Sequence, residues 1–103
     1  MRVLVCGGRN YQNWRRVWAV LDHLHGSERY SEAVIHGGAS GADKWAGSWA
    51  ARHLGADEVY LAQWEKYGPS AGPRRNALML TEGKPTLVVS FPGGRGTDDM
   101  VSK

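Results

Sequence analysis

The chain has 103 residues, 13 basic against 10 acidic, with a formal net charge of +3 and no block of like charge along it. That length allows a single domain over residues 1–103 and leaves no room for a second core, while the charge is too small to mark a nucleic-acid binder by itself. The one cysteine, Cys6, excludes an internal disulfide, and no apolar run approaches the roughly 20 residues of a bilayer span, so a cytoplasmic protein without membrane contact is expected.

"RVLVCGG" (2–8) is an apolar run rich in β-branched residues that ends in a glycine pair, the pattern of a buried strand and its turn. Cys6 reads there as an inert core thiol. Trp14, Val17, Trp18, Leu21 and Leu24 follow at helical spacing, with Asn13 placed as N-cap and Gly26 as stop. "EAVIHGG" (32–38) is a second strand with its own glycine pair. "SGADKWAGSWAARHLG" (40–55) then sets Ala42, Trp45, Ala46, Trp49, Ala50 and His53 on one helical face. "DEVYLAQ" (57–63) predicts a third strand, "WEKYGPSAGP" (64–73) a long loop, "RRNALML" (74–80) a short helix and "PTLVVSFPGG" (85–94) a fourth strand.

Strands separated by helix-length connections pair in parallel through right-handed crossovers. The fold class is therefore α/β: a three-layer, Rossmann-like domain with a four-stranded parallel sheet. A hydrophobic first strand belongs at the centre, which gives the order 3-2-1-4 and a crevice where that order reverses.

Three glycine-bearing loops follow strands and so share one sheet edge: Gly7, Gly8 and Arg9; Gly37, Gly38, Ser40, Gly41 and Asp43; and Gly93, Gly94, Arg95, Gly96 and Thr97. Where such a loop opens a helix, free N–H groups and the helix dipole form an anion site, and phosphate is the natural guest. Arg9 and Arg95 follow glycine loops, and Arg74 and Arg75 open the short helix; a guanidinium fork suits phosphate. Neither a Walker A ending nor a G-x-G-x-x-G fingerprint is present. Ser40 is placed as a helix N-cap or phosphate donor, and no nucleophile elbow surrounds it. Trp64 and Tyr67 lie in the long loop, where an aromatic can stack on a base; a core position is the ordinary alternative for Trp64. His36 ends the second strand beside a glycine loop, where backbone satisfies it more readily than catalysis employs it. His23 and His25 are two apart and point to different helix faces, so neither a metal nor a resident cofactor is expected.

"MRVLVCGGRNY", "VIHGGASGAD", "WEKYGPSAGPRRNALM" and "FPGGRGTDDM" together resemble the YspA-like branch of the SLOG superfamily over nearly the whole chain. The superfamily includes the lonely-guy phosphoribohydrolases, whose P-G-G-x-G-T-x-x-E motif is similar to "PGGRGTDDM", and DNA-processing protein A, whose S-G-x-A-x-G-x-D loop is similar to "HGGASGAD". The resemblance implies a Rossmannoid fold and a nucleotide, nucleotide-derived or single-stranded DNA ligand. It matches Gly93, Gly94, Gly96 and Thr97 to a phosphate cradle and Asp43 to the family aspartate, which meets a ribose hydroxyl or simply caps the helix. It matches Asn76 to an asparagine that caps a loop or reads a base edge. Where the hydrolases carry glutamate this chain has Met100, which neither transfers a proton nor stabilises a sugar cation.

The expected function is therefore binding of a nucleotide-like phosphorylated small molecule in the glycine loops. The enzymatic alternative is N-glycosidic hydrolysis of a nucleoside monophosphate, with Arg75 orienting the substrate and Asp98 or Asp99 replacing the glutamate; Met100→Glu is then the change expected to raise it. Single-stranded DNA binding is a further alternative, one that calls for a longer basic track than four arginines. Five tryptophans on a small domain with a short last helix predict a homodimer or higher oligomer, through the helix of Trp14 and Trp18 or that of Trp45 and Trp49.

Overall fold

Val3, Leu4 and Val5 are fully buried because strand β1 (Arg2–Cys6) has a neighbour on each side. It runs parallel to β2 (Ala33–His36), with Val3 opposite Val34, and parallel to β4 (Leu87–Ser90), with Leu4 opposite Val88. β3 (Glu58–Val59) joins the outer side of β2, giving an all-parallel sheet in the order β3-β2-β1-β4, as the alternating pattern predicts. The computed structural model describes residues 1–26, 32–93 and 100. Gly94, Arg95, Gly96, Thr97, Asp98 and Asp99 lie outside the described residues.

The period of two along β1 divides the core between the faces of the sheet. Val3 and Val5 pack with Val17 and Leu21 of α1 (Trp14–Gly26) and with Ala42, Ala46, Trp49 and Ala50 of α2 (Ala42–His53). On the other face Leu4 and Cys6 meet Ile35, Met79 of α4 (Ala71–Thr81), and Met100. These are the three layers of a Rossmann-like fold.

Local chemistry sets the helix ends. Asn13 Oδ1 accepts the Arg16 N–H at 3.1 Å, the expected cap of α1. α2 closes at Leu54, and Gly55 follows with φ 83°, a conformation that costs a residue with a Cβ. Trp18 Nε1 donates to the Trp45 carbonyl at 3.1 Å and Trp49 Nε1 to Asp22 Oδ1 at 2.8 Å. The tryptophan faces considered for subunit contact thus meet each other within the chain, and of these four only Trp14 remains exposed.

Two expectations are corrected. The third strand does not run over residues 57–63; only Glu58 and Val59 pair, and the Tyr60 N–H adds one bond to the His36 carbonyl, because β2 itself ends there. The stretch 64–73 is not a loop. It forms a one-turn helix α3 (Trp64–Tyr67), a 3₁₀ turn Gly68–Ser70 and the start of α4. Gly68, at φ 58°, redirects the chain, and Pro69 and Pro73 occupy first turns, where a missing N–H leaves no helical bond unmade.

Candidate functional site

At the carboxyl ends of β1 and β4, where the strand order reverses, a cavity of about 860 Å³ opens. Its walls come from the loop after β1, the start of α2, Trp64, the start of α4, and Pro92 with Gly93.

The glycines of the first loop allow backbone to pack on backbone. The Gly8 N–H donates to the Pro92 carbonyl at 2.9 Å, and the Gly8 carbonyl accepts from Tyr11 at 3.1 Å and Ala42 at 3.3 Å. A Cβ at Gly7 would lie 2.6 Å from that of Ala42. Gly41, at φ 75°, is the N-cap of α2, and a Cβ there would collide with the carbonyl oxygen of Gly8. Ser40 is therefore not the N-cap; its hydroxyl donates to the Arg9 carbonyl at 3.0 Å and ties the first loop to the second.

Three backbone donors of the second loop are already engaged. Asp43, almost fully buried, accepts through Oδ2 from the N–H of Gly37 at 3.0 Å and of Ala39 at 3.3 Å. The Gly38 N–H donates to His36 Nδ1 at 3.0 Å. A carboxylate of the protein thus occupies the concavity that the sequence pattern offers to a phosphate. Since His36 Nδ1 accepts, Nε2 carries the proton and faces Asp57, so both ring nitrogens are used.

Arg75 is half-buried at the border of this loop. Its Nη1 donates to the Gly37 carbonyl at 2.7 Å and its Nε to Asn76 Oδ1 at 2.9 Å, so the buried Asn76 fixes the plane of the guanidinium. Burial pushes the Arg75 pKa down; Asp43 opposes this and Arg9 adds to it. Asp43 is pushed up, again by burial, against the two loop N–H groups, His36 and Arg75. Among the described residues no carboxylate forms an ion pair with Arg75 or Arg9. Burial also raises the Cys6 thiol, with a Ser90 hydrogen bond acting against it and Asp43 reinforcing it. Cys6 stays a protonated thiol on the cavity wall.

The cavity brings together Gly7, Gly8, Arg9, Asp43, Trp64, Arg75, Asn76 and Gly93 of the expected site residues. A second cavity of about 400 Å³ adjoins it and takes in Gly37, Gly38 and Ser40. Arg74 and Tyr67 line neither: Arg74 stacks on the Tyr67 ring at 4.2 Å and donates to Ser70 at 3.2 Å. Trp64 is not a core residue; it is 47% exposed and borders both cavities. Sequence reasoning missed Asn10, Tyr11, Gly72 and Met79. Tyr11 packs on Phe91 with ring centroids 5.4 Å apart, a pairing that no spacing announces. A Cβ at Gly72 would lie 3.3 Å from the Trp64 ring, whereas Gly72-Pro73 in sequence signals only a turn. Among the described residues no cluster of three or more His, Cys, Asp or Glu could hold a metal ion, and no helix is long and apolar enough to cross a membrane.

A parallel α/β sheet with glycine loops and two arginines gathered at its strand-order reversal defines a Rossmann-like architecture. The model of the YspA, cpYpsA-related SLOG family matches residues 1–67, and the chain belongs to that family. It is also similar to the Gene 61 protein of Mycobacterium phage D29, 41% identical over 102 residues that cover 91% of this chain and 78% of the phage protein. No solved structure matches the chain.

Proposed function

We propose that this protein binds a nucleotide or nucleotide-derived phosphorylated small molecule in the larger cavity, and that Arg75 and Arg9 hold its phosphate. The observation that carries this reading is the Arg75 guanidinium: partly desolvated at the cavity wall, oriented by Asn76, and without a carboxylate partner among the described residues. An anion there relieves the cost that burial imposes on the cation and uses its remaining donors. Membership of the SLOG family supports a nucleotide-related ligand. With the N–H groups of Gly37, Gly38 and Ala39 engaged, the phosphate is read by side chains more than by that stretch of backbone.

The site favours holding the ligand over cutting it. Met100 is buried beside Met79, and the one acid on the described wall of the cavity, Asp43, spends Oδ2 on the loop. Calorimetry with a panel of nucleoside monophosphates tests the reading. Arg75→Ala is expected to cost about 1.5–3 kcal/mol of binding, the usual worth of a charge-assisted contact, while the domain stays folded. Unchanged affinity in folded Arg75→Ala removes this arginine from the site. Release of free base by the unmodified protein, abolished by Asp98→Asn or Asp99→Asn, would establish hydrolysis instead.

A further inference from the structure

The smaller cavity has no part in the reading above. It shares Arg9, Ala39, Trp64 and Arg75 with the larger one, so the two arginines stand on the border between a space of about 860 Å³ and one of about 400 Å³.

The chemistry of the smaller space is unlike that of a phosphate pocket. Its floor is the Gly37–Ser40 backbone, where the three N–H groups of Gly37, Gly38 and Ala39 already donate to Asp43 and His36. A second anion on that floor would find no amide of these three free and would lie over the buried carboxylate of Asp43, which repels it. The side is apolar. Leu61, 71% exposed, and Trp64, 47% exposed, both line it together with Ala62, and Val59, 44% exposed, sits beside Leu61 next to Gly38. Gly38 leaves the room they use, since a Cβ there would meet Leu61 at 2.6 Å and Val59 at 3.0 Å. A space with engaged donors below and a leucine and an indole beside it suits a flat ring.

We infer that the ligand is bipartite, of the dinucleoside pyrophosphate class: a phosphate bridge held between Arg9 and Arg75, one nucleoside half in the larger cavity, and a second ring-bearing half in the smaller cavity against Leu61 and Trp64. This rests on the assignment of the phosphate to Arg75 and Arg9.

Calorimetry with AMP, ADP and diadenosine diphosphate separates the two claims. ADP carries the pyrophosphate without the second half and with one more ionisable oxygen, so a tighter fit of diadenosine diphosphate is not a gain of charge. In the unmodified protein diadenosine diphosphate is expected to bind about tenfold or more tighter than either, the gain of one base stacked on an aromatic ring. Leu61→Ser, which removes the apolar side, and Ala62→Phe, which fills the space from its own position in the lining of the smaller cavity, each abolish that advantage and leave AMP bound as before. Equal affinity for ADP and diadenosine diphosphate, or an advantage that survives both variants, overturns the bipartite ligand while the monophosphate site stands. Failure of all three compounds to bind, or AMP binding indifferent to Arg75→Ala, overturns the phosphate site and this inference with it.

Discussion

Asp43 accepts the Gly37 N–H through Oδ2 at 3.0 Å, and the carbonyl of the same Gly37 accepts Arg75 Nη1 at 2.7 Å. One residue, through its two flanking peptide groups, therefore joins a buried carboxylate to the candidate phosphate-binding arginine. The acid shapes the loop, and the loop in turn places the base.

Asp43 pays a desolvation cost for this role, and its pKa direction gives the sign of the pH dependence. The native carboxyl holds its proton above the ordinary value of 3.8. Between 3.8 and the raised native value the folded state binds more protons than the unfolded chain, so this contribution to stability is full below 3.8 and falls as pH rises through the window. Asp43→Asn keeps an acceptor for the loop and removes the buried charge. It is expected to equal or exceed the unmodified protein in stability at pH 7, with the difference shrinking toward pH 4, and to bind nucleotide more tightly because a repelling charge is gone. Asp43→Ala strands two N–H groups and should cost about 1–3 kcal/mol. Urea unfolding from pH 4 to 7 checks both; an Asp43→Asn protein as unstable as Asp43→Ala shows that the charge itself holds the loop.

Adjacent arginines offer a contrast within one helix turn. Arg75 lines the cavity, whereas Arg74 is exposed and stacked on Tyr67. Arg74→Ala should leave nucleotide affinity within about twofold, since an exposed charge contributes little, while Arg75→Lys should lose about tenfold, because an ammonium cannot reproduce two in-plane bonds to Gly37 and Asn76 and still present a fork. Equal losses at both positions would point to a diffuse electrostatic surface.

Gly41 and Gly55 both have positive φ, 75° and 83°, but only Gly41 is pressed against backbone, that of Gly8 and Arg9. Gly55→Ala should cost about 1 kcal/mol, the conformational term alone. Gly41→Ala adds a collision with carbonyl oxygens that nothing nearby can relieve and should cost about 3 kcal/mol or more, with loss of ligand binding as the first loop moves. Thermal unfolding of the pair measures the difference, and equal costs would show that the loops are less tightly apposed than the structure has them.

The fold was legible because its signals are local. The apolar run from Val3 to Val5 and the spaced face of Val17 and Leu21 each dictate an element, and strand alternation dictates the order. The helical character of residues 64–73 was hidden by Gly68, Pro69, Gly72 and Pro73, which break helices in their interiors but are tolerated in first turns and between them. That Gly8, Arg9 and Arg75 would meet at one sheet edge was readable from type and position. That His36 would be satisfied by backbone was also readable, and it takes the Gly38 N–H two residues on; that Asp43 would take the N–H groups of Gly37 and Ala39 was not, because those bonds depend on how the start of α2 seats against the loop.

Met100 falls where the motif that "PGGRGTDDM" resembles has a glutamate, and its surroundings determine what introducing that acid would do. It is 3% exposed, packed with Leu4, Cys6, Ile35 and Met79, and it does not line either cavity. Met100→Glu therefore exchanges a thioether in an apolar core for a carboxyl with no described partner. The loss of packing and the desolvation together should cost about 3 kcal/mol or more. Burial raises the pKa of the introduced acid, so the variant loses further stability as pH rises, and a protonated acid buried beneath the site supplies no negative charge to a sugar cation. The expectation drawn from sequence, that this change would raise phosphoribohydrolase activity, is thereby reversed: the variant should unfold more readily and release no base. Met100→Leu, which conserves volume, should stay within about 1.5 kcal/mol of the unmodified protein and bind nucleotide normally. Urea unfolding of both variants at pH 6 and 8, with chromatography for free base from a panel of monophosphates, provides the measurement. A Met100→Glu protein as stable as the original and active in hydrolysis would show that this side chain turns toward the ligand in solution.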